Sequence, residues 1–171
     1  MINRNRQKGF SLIELLIVVA IILIIAAIAI PNLLRARMAA NESSAAGTLR
    51  TINTANATYQ TTYNVQFASD LTTLGGTTVA AAGTVPPCTS ANLIDINLGA
   101  SDTPVKNGYQ FAYAGINPVT PADACGSVTA YTISAAPSNL GSTGLRSFFT
   151  DQTGVIRAIL GLGAGAGSTP L

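Results

Sequence analysis

Histidine and tryptophan are absent from this chain of 171 residues. Without histidine, neither a Ser-His-Asp nor a Cys-His catalytic arrangement can be built. The only two cysteines, Cys88 and Cys125, cannot by themselves hold a structural zinc ion. Charge is also scarce: 9% of the residues are Asp, Glu, Lys or Arg. Asp70, Asp95, Asp102, Asp123 and Asp151 are scattered, and no spacing marks a carboxylate pair for acid–base work. Gly161-Leu162-Gly163-Ala164-Gly165 has the composition of a phosphate loop, but no lysine follows it. The expectation is therefore no enzyme, no cofactor and no metal. The net charge of +2 gives little reason to expect a nucleic-acid partner. Three of the nine basic residues, Arg4, Arg6 and Lys8, lie in the first nine positions. Without them, six basic residues face seven acidic ones, a net charge of −1.

What the chain has in quantity is apolar side chain, 48% of its residues. From Leu15 to Ile30 nothing is charged or polar. Phe10 to Ile30 is 21 residues, enough for a helix to cross the hydrocarbon core of a bilayer. Glu14 is the exception within it. A carboxylate at membrane depth costs a few kcal/mol, so it calls for a function; the bland alternative places Glu14 near the headgroups, where the cost is small. Positive charges ahead of an apolar span keep that end in the cytoplasm, so the remainder is expected to be exported. A cleaved secretory signal is the competing reading, with Leu15 to Ala27 as its apolar region and Ala27-Ile28-Ala29 as its cleavage site. It leaves Glu14 without a role.

Lys8-Gly9-Phe10-Ser11-Leu12-Ile13-Glu14, followed by the apolar run and Pro31, resembles the N-terminus of type IV pilins and of type II secretion pseudopilins. The resemblance covers roughly residues 8 to 35. It implies that a prepilin peptidase cuts between Gly9 and Phe10 on the cytoplasmic side and methylates the new amine of Phe10. It also implies that Glu14 pairs with a neighbouring subunit's free amine, and that Pro31 kinks the helix. The expected partners are other copies of the chain in a helical filament, the membrane before assembly, and, by resemblance, an assembly ATPase with its inner-membrane platform. The expected location is the bacterial inner membrane for the precursor, with the globular part in the periplasm, then a surface pilus or a periplasmic pseudopilus.

Cleavage leaves a positive amine on Phe10 beside apolar chain, and a buried charge needs a partner. Four helical residues rise about 6 Å, which argues against Glu14 serving its own N-terminus with good geometry. If helices stack with a stagger of about one turn, the amine of one meets Glu14 of the next. Each charge is costly alone in a low-dielectric bundle, so the pair specifies register more than it adds stability.

The fold expected is α+β: a long N-terminal helix packed on a small antiparallel sheet. Residues 1–9 are a leader, 10–30 the membrane or filament-core helix, and 31–63 an amphipathic continuation. Together these make a helix of about 50 residues, roughly 80 Å long, bent or locally melted near Pro31. Leu49, Ile52, Asn56, Tyr59 and Tyr63 recur at spacings of three and four, giving one face to pack on a globular part. Arg35, Arg37 and Glu42 are expected to be solvated or to meet other subunits.

Residues 64–108 form a long connection. Ser69-Asp70 before Leu71–Leu74 predicts a short capped helical turn. Residues 76–87 read as loop, and 92–98 as helix in preference to strand. Residues 109–160 carry the sheet. Its strands are Gly108–Tyr113, Ala130–Ala135, Ser147–Thr150 and Val155–Ala158, the last two joined by the turn Asp151-Gln152-Thr153-Gly154. Asp151 reads as a turn residue, although some pseudopilins hold calcium in this region. Residues 161–171 form a Gly-rich tail, mobile or draped on the surface.

Cys88 and Cys125 both lie on the exported side, where oxidation is permitted. Bridged, they close a loop whose constraint is worth roughly 4 kcal/mol in the chain-entropy model; two buried free thiols are the alternative. The expected function is a structural subunit of a type IV pilus. A secretion pseudopilin is the first alternative, disfavoured by the lack of an acidic C-terminal cluster. A secreted binding module with no polymer is the second.

Overall fold

The computed structural model describes residues 10–76, 85–119 and 124–171. The leader with Gly9, and most of the loop expected at 76–87, lie outside the described residues. The chain divides into two units, Met1–Ala36 and Arg37–Leu171. Helix α1 (Leu12–Tyr63) supplies the described helical residues of the first unit and continues into the second. Its C-terminal limit is where the sequence places it.

In the second unit the buried face of α1 is the anticipated one. Leu49, Ile52, Asn56 and Tyr59 are fully buried, and Tyr63 packs against the same cluster. Opposite them lies a sheet of six strands among the described residues: β1 (Val105–Lys106), β2 (Tyr109–Pro118), β3 (Val128–Pro137), β4 (Arg146–Asp151), β5 (Arg157–Leu160) and β6 (Thr169–Pro170). The spatial order follows the chain order, and every pairing is antiparallel. Tyr109, Phe111 and Tyr113 alternate into the core from β2, as the period-2 pattern demands. Ile133, Ala135 and Phe148 complete that layer. Tyr113 and Tyr131 stack with ring centroids 5.4 Å apart.

Asn56 ties polar groups together inside this core. Asn56 accepts from the Ala68 N–H (3.2 Å) and from the Tyr113 hydroxyl (3.3 Å). That hydroxyl also donates to the Ala68 carbonyl at 2.7 Å. Burial drives the Tyr113 pKa well above the usual tyrosine range, so this phenol remains a donor at any physiological pH.

The connection of 64–108 holds the expected turn: α2 (Leu71–Leu74), capped by Asp70, which accepts from the Thr73 N–H at 2.6 Å. Where α2 ends, Gly75 meets Gly99 so closely that a Cβ on Gly75 would lie 2.5 Å from the Gly99 Cα.

Several expectations are corrected. Residues 92–98 form neither helix nor strand. They make a single turn in which Leu98 and Gly99 donate to the Asp95 carbonyl and the Asp95 side chain accepts from Asn97 and Leu98. The sheet is wider than 109–160. It gains β1 on one edge through the two-residue turn Asn107-Gly108, both at positive φ (50° and 74°), the backbone a type I′ hairpin needs. On the other edge it gains β6, so Thr169 and Pro170 of the tail pair with β5. The turn after β4 is present, with Gly154 N–H donating to the Asp151 carbonyl at 2.9 Å, but β5 begins at Arg157, two residues late.

Candidate assembly segment

Helix α1 opens at Leu12, with Ser11 in the N-cap position. Leu15 N–H donates to the Ser11 carbonyl at 3.3 Å. The Glu14 carboxylate turns back and accepts from the Ser11 N–H at 2.8 Å. Ser11-Leu12-Ile13-Glu14 is thus a capping box with its glutamate half in place, a pattern readable in the sequence that the membrane argument hides. This amends the expectation that Glu14 cannot serve its own N-terminus. A side chain at the third helical position reaches the N-cap N–H, which is one residue short of the Phe10 nitrogen. The negative charge also sits at the positive end of the helix dipole.

Beyond Glu14 the first unit is bare. Phe10 is 84% exposed, and the leucine, isoleucine and valine side chains from Leu12 to Leu34 are largely uncovered. Among the described residues, α1 is the one helix long and apolar enough to cross a membrane; the mean hydropathy of its most apolar stretch is 3.3 and none of that stretch is buried. The helix runs through Pro31 without interruption, so the locally melted alternative is excluded. Pro31 has no N–H to give to the Ala27 carbonyl. One residue on, the Asn32 side chain donates to the Ile28 carbonyl at 3.1 Å, a further main-chain bond in the same turn.

Arg35 and Arg37 are exposed, as expected, but Glu42 is not. It is 7% exposed and accepts from Leu145 N–H (2.8 Å), Arg146 N–H (3.2 Å) and Arg146 Nε (2.8 Å). Burial pushes its carboxyl upward, yet those donors and the adjacent guanidinium outweigh it, and the pKa lies below 4.5. Glu42 therefore ties α1 to the start of β4, a role that sequence reasoning missed. Its partners are about a hundred residues away, and no local pattern signals them.

Cys88 and Cys125 form a disulfide with Cα atoms 5.5 Å apart. It joins a short 3-10 turn, Cys88–Ser90, to the connection between β2 and β3. Tyr59 and Tyr63 fix the same strip to α1 by donating to the Cys88 and Pro86 carbonyls at 3.0 and 2.8 Å. Asp151 accepts from the Thr153 N–H at 2.9 Å and from its hydroxyl, the geometry of a turn residue.

A family model described as the prokaryotic N-terminal methylation motif matches residues 4–30. Over 39 residues the chain is 64% identical to the type IV wide pilus major component PilA4 of Thermus thermophilus, covering 23% of this chain and 30% of that protein. The N-terminal segment carries this motif and is similar to that of type IV pilins. The type IV major pilin protein PilA of Myxococcus xanthus is 48% identical over 54 residues, 32% of this chain and 24% of that protein. The matches thus span less than a third of each relative's length. No solved structure matches the chain.

Proposed function

We propose that this chain is a structural, non-catalytic subunit of a type IV pilus. In this reading a prepilin peptidase cuts between Gly9 and Phe10 and methylates Phe10. The apolar half of α1 first anchors the precursor in the inner membrane, N-terminus in the cytoplasm and folded unit outside. An assembly ATPase and its membrane platform then move it into the filament, where the same surface is buried against other copies. The observation that carries the reading is the pairing of an uncovered apolar helix with a single acid, Glu14, four residues from the processing position.

Cleavage changes what Glu14 is offered. In the intact chain its best donor is the neutral Ser11 N–H. After cleavage a charged amine stands at Phe10 of every copy. An ammonium–carboxylate pair in an apolar bundle is roughly twice as strong as a neutral hydrogen bond. A neighbour's amine can therefore draw Glu14 into an inter-subunit contact at the cost of a capping bond worth about 1 kcal/mol. Lipid is as apolar as the helix, so close packing and this pair supply specificity where hydrophobic burial alone does not. We place the bend that lets the apolar half seat in the bundle at Pro31. Both relatives carry pilus names, and nothing among the described residues of the folded unit favours the secretion pseudopilin. The test is Glu14→Ala in the producing cell. The precursor should reach the membrane at normal levels while filament yield collapses; normal yield contradicts the proposal.

A further inference from the structure

Among its described residues, the folded unit leaves two exposed cations, Arg37 and Arg50, and one exposed carboxylate without side-chain partners. Of the described acids, Glu42 is held by Arg146, Asp95 by Lys106 at 2.5 Å, Asp70 by the α2 cap and Asp151 by its turn. Asp102 is exposed and its side chain has no partner among the described residues. It stands before β1, on the free edge of the sheet, where its carbonyl takes the Tyr113 N–H at 3.5 Å. Its neighbours Ala100, Ser101 and Thr103 are small and exposed, so the carboxylate stands clear of its own surface.

Arg50 lies on α1, directly after the buried Leu49, and its guanidinium is exposed and likewise without an acceptor among the described residues. Two concavities flank it. One, of about 310 Å³, is walled by Thr51, Thr54, Thr58 and Leu93. The other, of about 390 Å³, is walled by Val155, Ile156 and Leu171. The threonine hydroxyls are already committed, donating to the Gly47, Arg50 and Thr54 carbonyls at 3.2, 2.9 and 3.0 Å. With those hydroxyls committed, the guanidinium is the free donor between the two concavities. A carboxylate on a short side chain is the complementary group, and bidentate geometry suits arginine.

We infer that Arg50 of one copy of this chain receives Asp102 of a second copy. This rests on the filament reading above and names a contact between its folded units. A filament repeats one contact along its length, so within the filament reading the pairing is heterologous. Each copy uses Arg50 toward one neighbour and Asp102 toward another, which propagates an open assembly rather than closing a two-fold dimer.

The experiment uses the full chain in the producing cell, with filaments sheared from the surface and precursor measured in the membrane. Arg50→Asp and Asp102→Arg each set like charges against each other, and each should lower filament yield about five-fold or more. The double exchange restores the pair and should return yield to within about two-fold of the parent. Where a charge variant fails to accumulate in the membrane, a cysteine variant decides. Arg50→Cys combined with Asp102→Cys should give a ladder of disulfide-linked subunits in oxidised filaments, and neither single substitution should. Loss in the single exchanges without recovery in the double means that Arg50 meets some other acid and overturns the pairing, as does the absence of a ladder. A parent chain that forms no filaments overturns the pilus reading and this pairing with it.

Discussion

Replacing Glu42 with alanine tests how the helix and sheet of the folded unit are held together. The substitution strips the acceptor from two partly buried main-chain donors, Leu145 N–H and Arg146 N–H. At about 1 kcal/mol each, that is about 2 kcal/mol. The Arg146 Nε contact adds less than its 2.8 Å suggests, because the arginine side chain is 44% exposed and water replaces the carboxylate; about 0.5–1 kcal/mol is appropriate. The total is about 3 kcal/mol, or a midpoint lowered by about 10 °C for a unit of this size. Glu42→Gln keeps one oxygen for the main-chain donors but turns an amide toward Arg146, and should cost about half as much. The assay is thermal unfolding of the mature chain in detergent, followed by tyrosine near-ultraviolet circular dichroism. The pH dependence has a definite sign. The folded-state pKa of Glu42 is depressed, so its contribution is complete above the unfolded value near 4.5 and is lost as pH falls through the lower folded value. The parent should therefore lose midpoint between pH 5 and pH 3 more steeply than Glu42→Gln, against a shared decline from Asp70 and Asp95, whose pKa values are also lowered. A Glu42→Ala midpoint within about 2 °C of the parent would refute the clamp.

The disulfide should be worth roughly 4 kcal/mol, so replacing both Cys88 and Cys125 with serine should lower the urea midpoint clearly, and reductant should do nothing further to that variant. An unchanged midpoint would mean that Tyr59 and Tyr63 alone hold the strip. Gly75→Ala places a Cβ against main-chain atoms of Gly99, which cannot swing aside, and should cost about 1–3 kcal/mol in the same unfolding assay. Tyr59→Phe removes only the hydroxyl bonded to the Cys88 carbonyl and should cost about 1 kcal/mol, with the disulfide still formed by thiol titration.

The elements that sequence reasoning located are those whose signal is local or periodic. Leu49, Ile52, Asn56 and Tyr59 repeat at helical spacing, and Tyr109, Phe111 and Tyr113 alternate, because each set buries one face against a partner layer. Asp70 announces α2 because a cap acts within three residues. Strands β1 and β6 are two residues long and have no period to read; they exist because β2 and β5 offer unpaired edges. In Asp95-Ile96-Asn97-Leu98 the apolar residues are two apart and mark no helix, and the Asp95 side chain caps a single turn. In the assembly segment, Phe10, Glu14 and Pro31 are legible as residue types. The bond from Ser11 to Glu14 is written in the sequence too, and escapes notice when the acid is weighed only as a membrane anomaly.

The N-terminus of the chain in the filament tests the central claim most directly. Intact-mass and fragment mass spectrometry of sheared fibres should find a chain that starts at Phe10 with one added methyl on its amine. A product starting near Ile30, or one that retains Met1 to Gly9, would leave Glu14 with no new amine to meet and would contradict the account.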